Sequence, residues 1–138
     1  MNAVWFLQPD GIIVADDVIA DDYLSSLPAL NEMAYLRAFL ARRDPQVNQR
    51  YSWIGDIFKT PFFVQNFMQA YSYATVSDNH GQTIIWEARR AAHDIPRQKL
   101  EMIAGMTLKD MIMHESQMRI MPLADIMAEI SAAGQSIG

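Results

Sequence analysis

The chain has 138 residues, of which 51% are hydrophobic and 20% are charged, proportions typical of a globular protein rather than a disordered one. This length predicts one domain over residues 1–138, long enough to bury a hydrophobic core. No cysteine is present, which excludes disulfides, thiolate nucleophiles and metal sites with cysteine ligands. The formal net charge of −5 at pH 7 opposes general affinity for nucleic acid.

Neither the N-terminus nor the longest uncharged stretch indicates a membrane or secretory signal. The first residues, MNAVWFL, lack the basic region and the long apolar run of a signal peptide. Residues 60–77 carry no charge, but they begin beside a proline and include Gln65, Asn66 and Gln69, so we do not expect them to span a membrane. We therefore expect a cytoplasmic protein.

The N-terminal part predicts a β-hairpin followed by an acidic helix start. Two short apolar runs flank the turn sequence PDG at residues 9–11, and they predict strands at residues 3–8 and 12–15. The acidic sequence ADDVIADDY at residues 15–23 suits the first turn of a helix. It lacks the ligand spacing of a calcium-binding loop.

From residue 29 onwards the apolar residues recur at helical spacing, and prolines mark several boundaries. Thr107 and Asp110 have the spacing of a capping box at the start of one helix. Residues 134–138 are expected to fray. We therefore expect an all-α bundle of about six or seven helices with a short N-terminal β-hairpin. The predicted helices cover residues 29–43, 47–59, 60–74, 82–93, 95–106, 107–121 and 122–133.

No group of residues nominates a catalytic reaction. Residues 134–138 match G-x-S-x-G, but the chain has no histidine downstream and no preceding strand is predicted, so chance explains the match. His80 lies two residues from Asp78 in a loop, a pair without a nucleophile. We expect no catalytic residues, no metal and no cofactor. An enzyme or a ligand-binding protein built around His80 or His114 is the third hypothesis.

A DNA-binding regulator is the second hypothesis. Residues 86–103 have the outline of a helix-turn-helix, with a turn at His93-Asp94 and basic and amide side chains at the start of the second helix. The turn lacks the usual glycine, and nearby acidic residues balance the basic ones, so a solvated helix pair explains the same sequence. The nucleic-acid-binding residues would be Arg89, Arg90, Arg97, Gln98 and Lys99.

The first hypothesis concerns the methionine-rich stretch MIMHESQM at residues 111–118. In a helix over residues 107–121, apolar residues fall on two sides, which suits either a central core helix or a helix covered by another chain. Packing ranks first, a partner second and soft-metal binding last, since one helix spreads such ligands along an axis. The candidate partner-binding residues are Met111, Met113, His114, Met118, Ile120 and Met121.

These observations favour a small acidic protein that binds another protein. An adaptor, a secretion-type chaperone, an inhibitor and an assembly component all fit this description. We expect a homodimer, because self-association is the simplest way to cover the apolar surface and twofold dimers are the commonest case. Nucleic acid and membrane are not expected as partners.

Overall fold

The computed structural model describes residues 2–8, 10–48, 52–78, 80–91 and 97–135, and it shows a four-stranded mixed β-sheet with helices packed on both faces. The prediction of an all-α bundle is therefore wrong. The sheet order is β1-β3-β2-β4, so β1 and β4 form its two edges. Strand β3 is antiparallel to both β1 and β2, whereas β4 is parallel to β2. The strands are β1 (Ile12–Ala15), β2 (Tyr71–Val76), β3 (Thr83–Glu87) and β4 (Ile120–Met121).

The α-helices surround this sheet, and short 3₁₀ helices lie before or between the larger elements. The α-helices are α1 (Leu30–Leu40), α2 (Thr60–Phe67), α3 (Arg97–Ala104), α4 (Leu108–Met113) and α5 (Leu123–Gln135). The 3₁₀ helices are Asn2–Phe6, Pro45–Asn48, Ile57–Lys59 and Glu115–Met118.

The N-terminal hairpin is not formed. The strand expected at residues 12–15 is present as β1, but it pairs with β3, and Asn2–Phe6 form a 3₁₀ helix instead of a strand. The turn before β1 is nevertheless tight, because the Gly11 N–H donates to the Gln8 carbonyl at 2.9 Å. Strand β1 thus finds its partner far along the chain, which the local turn sequence could not indicate.

Two predicted helices contain the central strands. Residues 60–74 and 82–93 were expected to be helical, but helix α2 ends at Phe67 and is followed by β2, and residues 83–87 form β3. Both strands are largely buried on both faces, so their sequences, YSYATV and TIIWE, lack the sustained alternation of apolar and polar residues that marks a half-exposed strand. Such runs do not distinguish a buried strand from a buried helix by periodicity.

The predicted helix over residues 107–121 is also shorter than expected. The capping box is present, with the Asp110 carboxylate accepting from the Thr107 backbone N–H at 2.8 Å. Helix α4 ends at Met113, and a 3₁₀ turn leads to Arg119, whose φ of 53° lies in the left-handed region. This residue redirects the chain into β4, the short parallel edge strand beside β2.

The hydrophobic core lies on both sides of the sheet. On one face, helix α5 covers the central strands, and the cluster consists of Ala74, Val76, Ile84, Trp86 and Ile126. On the opposite face, helices α2, α3 and α4 contribute to a larger core, whose buried members are Val18, Phe58, Phe62, Ile103, Met106, Met111 and Met118. A smaller cluster joins Val64 of α2 to Tyr73 and Ile85 of the sheet.

Candidate functional site

The outer edge of β1 carries backbone groups that have no partner among the described residues. The Val76 N–H donates to the Gln82 carbonyl at 2.9 Å, which shows which residues of β2 and β3 exchange backbone hydrogen bonds with each other. The backbone N–H and C=O groups of successive residues point to opposite sides of a strand. Ile84 and Trp86 of β3 therefore bond to β2, and Ile85 between them bonds to β1. The Thr75 N–H agrees with this alternation, because it points away from β3 and donates to the Arg119 carbonyl at 3.1 Å.

The same alternation shows which residues of β1 have backbone groups that point away from the sheet. Ile13 lies opposite Ile85 and bonds inward, so the N–H and C=O groups of Ile12 and Val14 point away from the sheet. Within the part of the chain that the structure describes, neither residue has a backbone partner on that side. Strand β1 therefore presents an open edge with the same two residues supplying its outward groups.

The side chains of these two residues are exposed as well. Ile12 is 44% exposed and Val14 is 52% exposed. They lie opposite Trp86 and Ile84, so they belong to the sheet face that α5 covers over the central strands. The open edge and an apolar strip thus coincide.

Among the described residues, no segment pairs with the outer side of β1. Natural edge strands are commonly blocked by a lysine, a proline or a covering segment, and the sequence IIVA contains neither of these residues. Charges occur only beside the strand, where Asp10 precedes it and Asp16 and Asp17 follow it, all three exposed. The edge is therefore apolar at its centre and acidic at both ends.

A cavity of about 290 Å³ lies beside the first end of β1, between the sheet and the C-terminal part of α5. The lining is mostly apolar, with Trp86 from the sheet, and it carries two carboxylates. Neither carboxylate has a hydrogen-bond or ion-pair partner among the described residues. The lining residues are Asp10, Gly11, Trp86, Glu87, Ile130, Ala133 and Gly134.

The histidine in the loop has a partner other than the expected one. His80 Nδ1 lies 3.2 Å from a carboxylate oxygen of Asp21, and the Ser52 hydroxyl donates to the other oxygen of Asp21 at 2.7 Å. The hydroxyl and the imidazole therefore each approach the carboxylate, and no hydrogen bond joins them among the described contacts. A serine nucleophile needs a base at its own hydroxyl, so this arrangement does not activate Ser52.

The helix-turn-helix hypothesis loses its first helix, because residues 83–87 are strand β3. Arg89 is exposed after that strand, Lys99 is half-buried in α3, and the backbone of Arg97 and Gln98 lies in the first turn of α3. The turn expected at residues 93–94 lies outside the described residues.

Arg90 instead has a structural role at the end of α2. Its guanidinium donates to the Val64 carbonyl at 2.5 Å and to the Met68 carbonyl at 3.1 Å, and it reaches the Tyr71 carbonyl at 2.6 Å. Burial lowers the pKa of this guanidinium from its ordinary value. These bonds satisfy carbonyls at the C-terminus of α2, where a helix leaves acceptors free.

The structure divides the methionine-rich candidates between core and surface. Met111 and Met118 are buried, as expected if they pack in the core. Met113 is 67% exposed, and His114 is also exposed. Ile120 and Met121 are half-buried in β4, where their side chains pack on opposite faces of the sheet. Partner binding stays a prediction, and among these candidates Met113 and His114 are exposed.

Across the described ranges, no three His, Asp or Glu side chains come together in a way that could hold a metal ion. No helix in that same part of the chain is long and apolar enough to cross a membrane.

The residues at the β1 edge were not predicted as a site. Ile12 and Val14 were placed in a strand, but nothing local shows that this strand ends the sheet. The signals available in the sequence were the acidic residues at both ends of β1 and the large apolar residues Trp5 and Phe6 just before it. The structure shows both of these aromatic side chains highly exposed. Comparison with protein-family models, with curated proteins and with solved structures finds no match.

Proposed function

We propose that this protein binds another protein by accepting an extended segment as an additional strand at the outer edge of β1. The observation that carries the proposal is the coincidence at Ile12 and Val14 of outward backbone groups with exposed apolar side chains. In strand addition, backbone hydrogen bonds supply affinity, and contacts to alternate side chains supply specificity. Both requirements are met by the same two residues.

The charges at the two ends of β1 favour a partner with basic residues over a second copy of this chain. In the antiparallel register that pairs Ile12 of one copy with Val14 of another, Asp10 of each copy would lie opposite Asp16 of the other. Like charges directly opposite each other destabilise a strand pair. A segment with lysine or arginine at these positions would gain from the same charges. The homodimer expected from the sequence stays a prediction for the surface around Met113.

Selection from a displayed library of short random peptides on the purified full chain tests the proposal. We expect enriched peptides to alternate β-branched or aromatic residues and to carry lysine or arginine. Val14→Lys should weaken their binding about tenfold or more, equivalent to roughly 1.4 kcal/mol, because an edge lysine opposes strand pairing. Met113→Lys is the matched control, since it places the same charge on another exposed apolar site.

A second variant tests the backbone contribution separately. Val14→Pro removes an outward N–H and leaves the inward bonds of Ile13 intact, so the sheet should fold and peptide binding should be lost. Circular dichroism checks the fold of each variant. Equal binding by wild type, Val14→Lys and Val14→Pro would refute the proposal, as would a library without enriched peptides. A loss with Met113→Lys alone would move the binding surface to α4.

A further inference from the structure

We infer that the cavity beside β1 binds the side chain of a lysine or arginine in the added segment. This inference rests on the proposed function, and it names the residue type that the site recognises. The cavity has a volume of about 290 Å³, larger than the roughly 150 Å³ of a cavity that accommodates benzene. Asp10 and Gly11, which lead into β1, form part of its lining.

The lining suits the two parts of a basic side chain. Trp86, Ile130 and Ala133 offer an apolar wall for the aliphatic stem. Asp10 and Glu87 offer carboxylates for the charged end, and both are exposed, so water can reach the same place. Lysine and arginine characteristically bury the stem on apolar surface and keep the charged end near water.

Charge complementarity selects this occupant over an apolar or an acidic side chain. The lining contains no lysine, arginine or histidine, and Asp10 and Glu87 have no ion-pair partner among the described residues. An acidic side chain would meet two like charges. An apolar side chain would contact the apolar wall but would form no ion pair with Asp10 or Glu87, so it would bind more weakly than a cation of the same length.

The position of the cavity agrees with the geometry of an added strand. Alternate residues of a strand beside β1 would have side chains on the sheet face that carries Ile12 and Val14. Asp10, two residues before Ile12, lines the cavity, so the cavity lies just beyond this end of β1. One basic residue at the corresponding end of the segment could therefore enter the cavity while its neighbours bond to β1.

The test uses small probes, so it does not depend on finding a partner. We propose titrating the isotopically labelled full chain with n-butylammonium, n-butylguanidinium and neutral 1-butanol at constant ionic strength. We expect the two cations to shift the NMR signals of Gly11, Trp86 and Ala133 and to bind several-fold more tightly than 1-butanol. The combination of Asp10→Asn and Glu87→Gln should weaken cation binding about threefold to tenfold, the range for partly exposed ion pairs.

Asp17→Asn is a closely matched control. Asp10 and Asp17 both adopt left-handed backbone conformations, with φ of 64° and 54°, and both are exposed beside β1. Asparagine tolerates this conformation, so each change removes a charge without backbone strain. Cation binding should survive Asp17→Asn. Equal binding of 1-butanol and the cations, or equal loss with Asp17→Asn and Asp10→Asn, would overturn the inference.

Filling the cavity gives an independent readout. A Cβ atom at Gly134 would meet no atom within 4 Å, so Gly134→Leu should fold and narrow the cavity. We expect it to abolish the probe shifts, whereas Ala128→Leu, on an exposed position of α5, should not. Unchanged shifts in Gly134→Leu would contradict the inference. Peptide binding that fails in Val14→Pro but survives the Asp10 and Glu87 changes would refute the inference alone and keep the proposed function.

Discussion

Replacing Tyr73 with phenylalanine removes a hydroxyl from the centre of the sheet and leaves the ring in place. The Tyr73 side chain is fully buried, its hydroxyl lies 2.9 Å from Gln65 Oε1, and it also contacts the Gln117 carbonyl oxygen. The guanidinium carbons of Arg90 and Arg119 lie 5.5 Å and 6.0 Å from the ring centroid. One hydroxyl thus ties α2, the sheet and the 3₁₀ turn before β4 together.

At neutral pH we expect Tyr73→Phe to lower the free energy of unfolding by about 1–2 kcal/mol. A neutral hydrogen bond contributes roughly 0.5–1.5 kcal/mol net, and a buried acceptor left unsatisfied adds to the cost. Gln65 Oε1 keeps a bond from Arg90 Nη1 at 3.0 Å, so the Gln117 carbonyl is the acceptor that loses most. The ring packing is unchanged, which keeps the effect below that of a cavity-forming change.

At alkaline pH the same substitution should become stabilising. Burial raises the pKa of Tyr73 from 10.0 to about 12, and the two nearby guanidiniums lower it by less. Because the folded pKa lies above the unfolded one, the stability contribution is complete below pH 10 and is lost as pH rises through 12. Two pKa units correspond to roughly 2.7 kcal/mol. The stability that the wild type loses at alkaline pH exceeds the stability that the hydroxyl adds at neutral pH.

Urea denaturation followed by circular dichroism between pH 7 and pH 12 measures this difference. The wild-type and Tyr73→Phe curves of unfolding free energy should cross between pH 10 and pH 12. Tyr35→Phe is the control, because Tyr35 is 74% exposed and should not alter the pH dependence. If the wild type and Tyr73→Phe lose stability in parallel over this range, the reasoning from the buried phenol fails.

Further predictions concern the buried charge and the methionine-rich stretch. Arg37 is buried and bonds to both carboxylate oxygens of Asp22 at 3.0 and 3.1 Å, so Asp22→Asn should cost about 2–4 kcal/mol in urea denaturation. The neighbouring Asp21→Asn should cost under about 1 kcal/mol, and equal costs would contradict the role of the ion pair. Met111→Ala should destabilise by about 2–5 kcal/mol, whereas Met113→Ala should change stability by less than about 0.5 kcal/mol. The reverse order in thermal melts would contradict the burial of Met111.

Sequence reasoning recovered the elements whose signals are local. Amphipathic spacing and flanking residues predicted a helix at residues 29–43, and the structure has α1 at Leu30–Leu40. The spacing of Thr107 and Asp110 predicted a capping box that the structure contains. A cap depends on a few adjacent residues, so it can be inferred before the tertiary structure is known.

The central strands could not be inferred from the same kind of signal. Strand β2 continues the apolar sequence of α2, and β3 is a short run buried on both faces, so neither shows the alternation of a half-exposed strand. Because these two strands were predicted as helices, the position of β1 at the edge of a sheet could not be predicted either. Strand β1 was predicted, but its open edge depends on the sheet order, in which β3 lies on one side of β1 and no other described strand lies on the other.

The most direct test of the proposed strand addition is amide hydrogen exchange at β1, measured by NMR with and without a selected peptide. In the free protein, Ile13 should be protected by its bond to β3, whereas the outward N–H groups of Ile12 and Val14 should exchange rapidly. Saturation with the peptide should protect Ile12 and Val14 and leave Ile13 nearly unchanged. A saturating peptide that leaves the exchange of both outward amides unaltered would contradict strand addition at this edge.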